Sequence, residues 1–394
     1  SFRSRTAVSN AMEDLDSSDP NIRKQGLEAL ASLKAIDQFV LVTSHDYPDV
    51  RYAAAFYIAD LTNFGDDRAL APLAYVLVNA GYSDVQKAAK FLQKYGEKAI
   101  PFVEQGLAAE YSEARYEAVK VLGQLKATNS AKVIIPLLDD VHHYKVVHAA
   151  LDSLKAIGDK SVVTDLRDRL TISDPTTRLH LARTLVSLGD LTVYPVIIEL
   201  LINNNFDNRL STTITNLLVF IGSPCVPMLL QHMKSVDKYK LLQLFEILGK
   251  IGDERAIEAI ASYLSNEDDE IRWYAINSLG MIRDPSIYDR LLSILNNASE
   301  NDDFRIKALW ALGQIGCPKC IETLLSYMES YDPVIRIQAM LAIAEFTKEE
   351  YSSEILTQLR RETVEIQRPT MEKILRDLGT EEAMRFADSL RNRR

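Results

Sequence analysis

The stretch Asp302-Asp-Phe-Arg-Ile-Lys-Ala-Leu-Trp-Ala-Leu-Gly-Gln-Ile-Gly316 decides the fold. It opens on a short acidic turn, passes a hydrophobic and a basic residue, runs through an Ala/Leu helix and stops at a Gly. Other copies begin at Asp174-Pro-Thr-Thr-Arg178, Asp268-Asp-Glu-Ile-Arg272 and Asp332-Pro-Val-Ile-Arg336. The basic residues Arg178, Arg209, Lys240, Arg272, Arg305 and Arg336 are 31, 31, 32, 33 and 31 apart. The glycines Gly65, Gly96, Gly158, Gly189, Gly222, Gly252 and Gly316 keep the same period, with two double gaps where Ala127 and Asp284 stand in the missing slots. A period in the low thirties is a helical-repeat length, and it predicts two helices of about 11–13 residues joined by short turns.

Each position of the unit has a physical reason. An Asp or Ser before the helix accepts orphan N–H bonds, Pro suits the first turn, and Gly can take the left-handed conformation that closes the helix. Ala three residues past the basic one (Ala54, Ala118, Ala150, Ala275, Ala308, Ala339) lets two helices approach. Ile58, Leu122, Leu154, Leu279 and Leu312, seven residues past it, fill the core. Working outward, turns at Asp19-Pro-Asn-Ile-Arg23 and Tyr47-Pro-Asp-Val-Arg51 give the early copies. Tyr82-Ser-Asp-Val-Gln86 carries Gln in the basic slot, and the copy near His142 to Val147 has lost the motif.

The pattern resembles the HEAT repeat, and more narrowly the short variety of phycobilisome lyases. Asp332-Pro-Val-Ile-Arg336 and Leu312-Gly-Gln-Ile-Gly316 match it best. The resemblance implies an all-α superhelical α-solenoid of about 11–12 HEAT-like helix pairs. It also implies that the second helix of each pair lies on the concave side, and that turn Asp and Arg residues form a ladder between repeats. Each repeat of a solenoid packs only on its neighbours, so the expectation is one domain over residues 1–394. Residues 1–18 would be an N-terminal cap, and 364–394 a degenerate last repeat and C-terminal cap.

The formal charge of −10 opposes nucleic-acid binding, because phosphate neutralisation needs a basic field. The end residues Arg3, Arg5, Arg391, Arg393 and Arg394 read as solvated tails. Three Cys are too few for a disulfide framework and favour a reducing, cytoplasmic setting. No apolar run reaches membrane-spanning length, and no signal-peptide pattern is present.

Chemistry-bearing motifs are sparse. No His is followed by Glu, so the His-Glu pairs of HEAT-like di-iron hydroxylases are missing. His142, His143 and His148 cluster in sequence but read as surface residues rather than metal ligands. Cys317-Pro-Lys-Cys320 has the spacing of a redox pair or half a zinc site, with local packing of Cys320 as the alternative. No catalytic residue, metal site or cofactor is expected.

Positions two, five and nine past the basic residue should face outward. On three successive C-terminal helices they place Tyr274 and Asn277, Lys307 and Trp310, and Gln338 on one surface. Trp and Tyr are enriched at binding hot spots. If the helix that carries them lines the concave side, these positions form ridges along the groove, and the expected function is a non-catalytic scaffold that holds a protein partner in its concave groove through these five residues. The alternatives are an E/F-type bilin lyase or bilin-handling chaperone, suggested by the repeat subtype, and a nucleic-acid binder, disfavoured by charge.

Overall fold

The computed structural model describes residues 2–172, 174–297, 299–362 and 368–391. Of the expected termini, Arg393, Arg394 and residues 364–367 lie outside these, as does the side chain of Arg3. The architecture is an all-α solenoid of stacked helix pairs, with no strand among the described residues.

Two compact units divide the chain, Ser1–Val193 and Tyr194–Arg394. The first holds α1 (Phe2–Asp14) and the pairs α2 and α3 (Pro20–Ser32, Ile36–Leu41), α4 and α5 (Pro48–Leu61, Leu70–Asn79), and α6 and α7 (Tyr82–Tyr95, Ile100–Glu104). It continues through α8 and α9 (Ser112–Gln124, Ala131–Ile134), α10 and α11 (Tyr144–Ile157, Val163–Asp168), and α12 (Pro175–Ser187). The second unit begins with α13 (Tyr194–Asn203), then α14 and α15 (Asn208–Ile221, Val226–His232), and α16 and α17 (Lys238–Ile251, Ile257–Ala261). It ends with α18 and α19 (Asp269–Ile282, Tyr288–Asn296), α20 and α21 (Asp302–Ile315, Pro318–Tyr327), α22 and α23 (Pro333–Thr347, Ser352–Leu359), and α24 and α25 (Arg368–Leu378, Glu381–Arg391).

The two helices of a pair are not equal, as the period alone suggested. First helices such as α18 and α20 have 14 residues, whereas second helices such as α7 and α17 have 5. Most second helices are entered through a tight 3-10 turn, capped by Asp66, Asp159, Asp253 or Asp284 before α5, α11, α17 and α19. That turn uses up residues the helix would otherwise contain.

Helix caps fall where the acidic turns placed them. Asp19, Asp174, Asp207, Asp237 and Asp268 each accept a backbone N–H of the first turn. These caps also correct the register. Arg178, Arg272 and Arg305 stand four residues past their caps Asp174, Asp268 and Asn301. The same slot in α14 and α16 holds Ser211 and Leu241, so Arg209 and Lys240 are displaced from it. In α6 the slot falls on Val85 rather than Gln86, because Gly81 is the cap. The glycine slots shift likewise. Gly158, Gly252 and Gly316 close their helices in the left-handed conformation, but the missing glycines are replaced by Lys126 (φ 50°) and Arg283 (φ 62°). Ala127 and Asp284 instead cap the following turns. Gly65 is not left-handed; Asn63 and Phe64 turn the chain there.

The core is the row of small and branched residues on first helices. Ala54, Ala118, Ala150, Ala275, Ala308 and Ala339 are fully buried, as are Ile58, Leu122, Leu154 and Leu312. Successive first helices meet along a line of Gly against small residues. A Cβ on Gly123 would lie 2.6 Å from Ser153 Oγ, and a Cβ on Gly249 would lie 3.0 Å from Ser278 Cα. The serines are tied across the same contact: Ser153 donates to the Val119 carbonyl at 2.8 Å and Ser278 to the Phe245 carbonyl at 2.7 Å. Each buried hydroxyl is thus satisfied by the preceding repeat.

An arginine ladder links turns, with a different acid than the capping Asp. Arg23 pairs with Asp49 at 2.9 Å, Arg115 with Asp140 at 2.8 Å, Arg272 with Glu300 at 2.6 Å and Arg336 with Glu362 at 2.7 Å. The capping carboxylates are occupied by helix N–H groups, so a second acid in or near the next turn takes the guanidinium. The same Arg side chains gather carbonyls of the turn before their own helix, as Arg336 does with Ser330 and Tyr331. Lys240, though displaced, still reaches the Ile202 carbonyl. Arg305 bonds Asp302 of its own turn at 3.1 Å instead.

Candidate functional site

Helices α18, α20 and α22 of the second unit carry the five residues singled out by phase. Tyr274, Asn277, Lys307, Trp310 and Gln338 are all half-buried, between a packed core row and solvent. Met281, Gln314 and Glu345, further along these helices, are half-exposed as well.

Three of the five join one cluster, with Trp273 as an added member. The Lys307 ammonium lies 3.6 Å from the centroid of the Trp310 ring and 4.3 Å from that of Trp273. Trp273 meets Tyr274 edge-on, with centroids 5.2 Å apart and planes at 67°. Both tryptophans of the chain therefore converge on one cation. The electron-rich ring faces attract it in place of water. Asn277 turns along its own helix and donates to Met281 Sδ at 3.4 Å. Gln338 is half-exposed on α22 and makes no side-chain hydrogen bond among the described residues. Trp273 was invisible to the phase argument because it sits one residue past Arg272, a position assigned to neither core nor face. Its exposure of 37% and its reach across to α20 require the third dimension.

Trp310 has its place because Gly280 has no side chain: a Cβ there would lie 2.7 Å from Trp310 Cζ3 and 3.0 Å from Ala311 Cβ. The indole thus rests on the backbone of α18. Burial pulls the Lys307 ammonium down to about 8, with Glu345 acting in the opposite direction. Glu345 itself is held by Lys373, and among the described residues no carboxylate forms an ion pair with Lys307. Tyr274 also lines an open groove of about 390 Å³ between α14, α16 and α18, together with Asn216, Tyr239, Gln243 and Glu246. The carboxylates beside it are matched: Lys250 holds Glu246 and Lys238 holds Glu270. This arrangement has half-exposed aromatic area, amide groups and one unmatched cation.

The other motifs resolve differently. Cys317 and Cys320 are joined as a disulfide. Cys317 caps α21 by accepting the Cys320 N–H at 3.1 Å, and Cys320 is fully buried. Cys225 is buried and free, its thiol pushed up to about 12 by burial. The three histidines near residue 145 do not act together. His143 bonds Asp140 at 2.7 Å, while His148 lies against His180, one period away, with centroids 4.9 Å apart and planes tilted at 55°. His180 Nε2 lies 2.9 Å from Asp152 Oδ1, to which it donates when protonated, and 2.7 Å from Arg183, from which it accepts when it is not; His148 Nε2 lies 3.1 Å from the Thr177 hydroxyl. Burial lowers both imidazoles. No single helix among the described residues is long and apolar enough to cross a membrane.

Several solved structures are similar in fold. Kap121p superposes with a TM-score of 0.57 at 12% identity, covering 99% of this chain and 51% of that one. Importin beta gives 0.54 at 12% identity, covering 94% and 67%. Kap121p bound to Pho4p gives 0.53 at 13% identity, covering 96% and 49%. The chain spans about half the length of Kap121p. At such identity the likeness concerns fold. No curated protein matches the chain by sequence. The family model for HEAT repeats matches residues 100–175, 226–300 and 288–370, more than half of the chain. The repeating turn, the Gly-to-Ser contacts between first helices and this match agree: the chain belongs to the HEAT-repeat family.

Proposed function

We propose that this protein is a non-catalytic scaffold that holds a protein partner against the face of α18, α20 and α22. The observation that carries the reading is the convergence of Trp273 and Trp310 on Lys307 at a half-exposed surface. Aromatic side chains beside a basic group form the hot spots of protein interfaces. Tyr274, Asn277 and Gln338 surround them with groups that donate and accept hydrogen bonds. The structurally similar Kap121p has been captured with the SUMO protease Ulp1p and with Pho4p, which supports the idea that a solenoid of this kind can carry a protein.

The test is a capture experiment with three baits: the parent chain, Trp310→Ala, and Tyr82→Ala as a control on the exposed surface of the first unit. A partner of the proposed face is retained by the parent and by Tyr82→Ala and is lost from Trp310→Ala. If all three baits retain the same proteins, the face is not the docking site.

A further inference from the structure

Among the described residues several helix-face lysines are paired with carboxylates, and the half-buried Lys307 is not. Lys120 pairs with Glu117, Lys145 with Glu113, Lys250 with Glu246, and Lys238 with Asp268 and Glu270. Lys87 and Lys94 lie over phenylalanine rings without a carboxylate, but both are solvent-exposed, so water completes their shells. Lys307 is half-buried between two indoles. An ammonium has three N–H donors, and among the described residues none of those on Lys307 has an acceptor. The carboxylate that acts on it, Glu345, is engaged by Lys373. Ring faces stabilise a cation but accept its hydrogen bonds only weakly, so an anionic oxygen approaching the open side would complete the shell of this ammonium.

The neighbouring surface states what should stand beside that oxygen. Trp273 is 37% exposed and is held edge-on by Tyr274, which fixes its ring at little entropic cost. A fixed, exposed indole next to a groove favours a flat apolar group, since aromatic pairs stack or meet edge to face. The groove acids Glu246 and Glu270 are already occupied by lysines, so they repel an incoming carboxylate less than their number suggests.

We infer that the partner presents an Asp or Glu directly beside an aromatic side chain, the carboxylate bonding the Lys307 ammonium and the aromatic ring packing on Trp273. This rests on the reading of the face as a partner-binding surface and adds the chemistry of the occupant. Charge complementarity decides it: the open position is on a cation, and burial strengthens a pair formed there.

Random peptides displayed on phage are selected on the folded full-length chain, and the binders are sorted by whether Trp310→Ala abolishes their capture. Each Trp310-dependent peptide is then titrated while tryptophan emission is recorded. The chain's two Trp residues are Trp273 and Trp310, so for peptides without Trp, or with their Trp replaced by Phe, the signal reports on this face alone. The expected result is enrichment of Asp or Glu next to Phe, Tyr or Trp. Glu→Gln in the peptide and Lys307→Met in the protein each weaken binding tenfold or more. In Lys307→Met the Glu and Gln peptides bind alike, and Lys307→Arg restores the preference. Circular dichroism melting of each variant shows that the fold persists. Trp310-dependent peptides that ignore both Glu→Gln and Lys307→Met overturn the carboxylate assignment and leave the face standing. Failure to select any Trp310-dependent peptide overturns the face, and this inference with it.

Discussion

Gly280 lies beneath the Trp310 indole, so that a Cβ at residue 280 would come within 2.7 Å of the ring. The same Cβ would lie 3.1 Å from the Ala311 backbone. Gly280→Ala therefore has two opposed effects. Helix propensity favours Ala over Gly by about 1 kcal/mol, while overfilling a close helix contact costs about 1–3 kcal/mol. The contact should win, because backbone stands behind the ring. A lowered melting temperature and a red-shifted tryptophan emission are the expected results. An unchanged emission spectrum would show that Trp310 does not rest on Gly280.

The arginine ladder gives a prediction in which two residues of the same sequence motif differ. Glu362, the partner of Arg336, has a side chain only 3% exposed. Removing Arg336 strands that carboxylate, and an uncompensated buried charge costs about 3–5 kcal/mol. Arg305 bonds Asp302, which is well exposed, and such a pair is worth about 0–1 kcal/mol. Arg336→Ala should thus lower the urea midpoint far more than Arg305→Ala. Equal losses would place a further buried partner on Arg305.

Why the sequence could rank neither arginine is itself informative. Cap, core and glycine positions are local: they follow from helix period and end chemistry, and Asp19, Asp174, Asp268, Ala275, Ala308 and Leu312 were all readable from spacing. Register was readable only where the turn was regular. In α14 and α16 the linkers change length, so counting from one basic residue to the next assigned Arg209 and Lys240 to a slot held by Ser211 and Leu241. The ladder acids Asp49, Asp140, Glu300 and Glu362 have no fixed offset from the helix, and only the packed turns choose among them. The candidate face shows the same division. The phase of Tyr274, Lys307 and Trp310 was legible, whereas the bridge from Trp273 across to Lys307 depends on how α18 meets α20.

Lys307 should leave a signature in alkaline solution. Its folded-state value of about 8 lies below the ordinary 10.5, so between these two values the unfolded chain binds more protons than the folded one. Stability contributed by this group therefore rises with pH across that window. Glu345 on α22, held by Lys373, is the charged group that acts on it. Melting temperatures of the parent and Lys307→Met, compared at pH 7.5 and pH 10, should show the parent gaining on the variant as pH rises. The absence of any relative gain would mean that Lys307 is more hydrated than its position between the rings implies.

His148 and His180 should leave the opposite limb. Burial lowers both, with Asp152 and Asp174 opposing the shift and Arg183 reinforcing it. Their folded values lie below the ordinary 6.5, so their contribution is present above that pH and is lost as pH falls below it. The double variant His148→Asn with His180→Gln should be less sensitive to acid between pH 6.5 and 5 than the parent, as read by melting temperature. Parallel acid profiles for the two proteins would assign the loss to other groups.

Trp310→Ala separates packing from recognition at the candidate face. The indole is half-buried, sits on Gly280 and shares the Lys307 ammonium with Trp273. A fully buried Trp truncated to Ala costs about 3–5 kcal/mol. A half-exposed one over a glycine should cost less, about 1–2 kcal/mol, since part of its apolar area was never removed from water. Partner affinity should fall by about 2 kcal/mol or more if the ring is a hot spot. Trp310→Phe offers the complementary measurement, since it keeps a ring on Gly280 while shrinking the surface offered to a partner. It should recover most of the melting temperature and only part of the affinity. Recovery of both together would mean that the indole matters through packing alone. Loss of affinity in Trp310→Phe at a parental melting temperature would place the ring in contact with the partner.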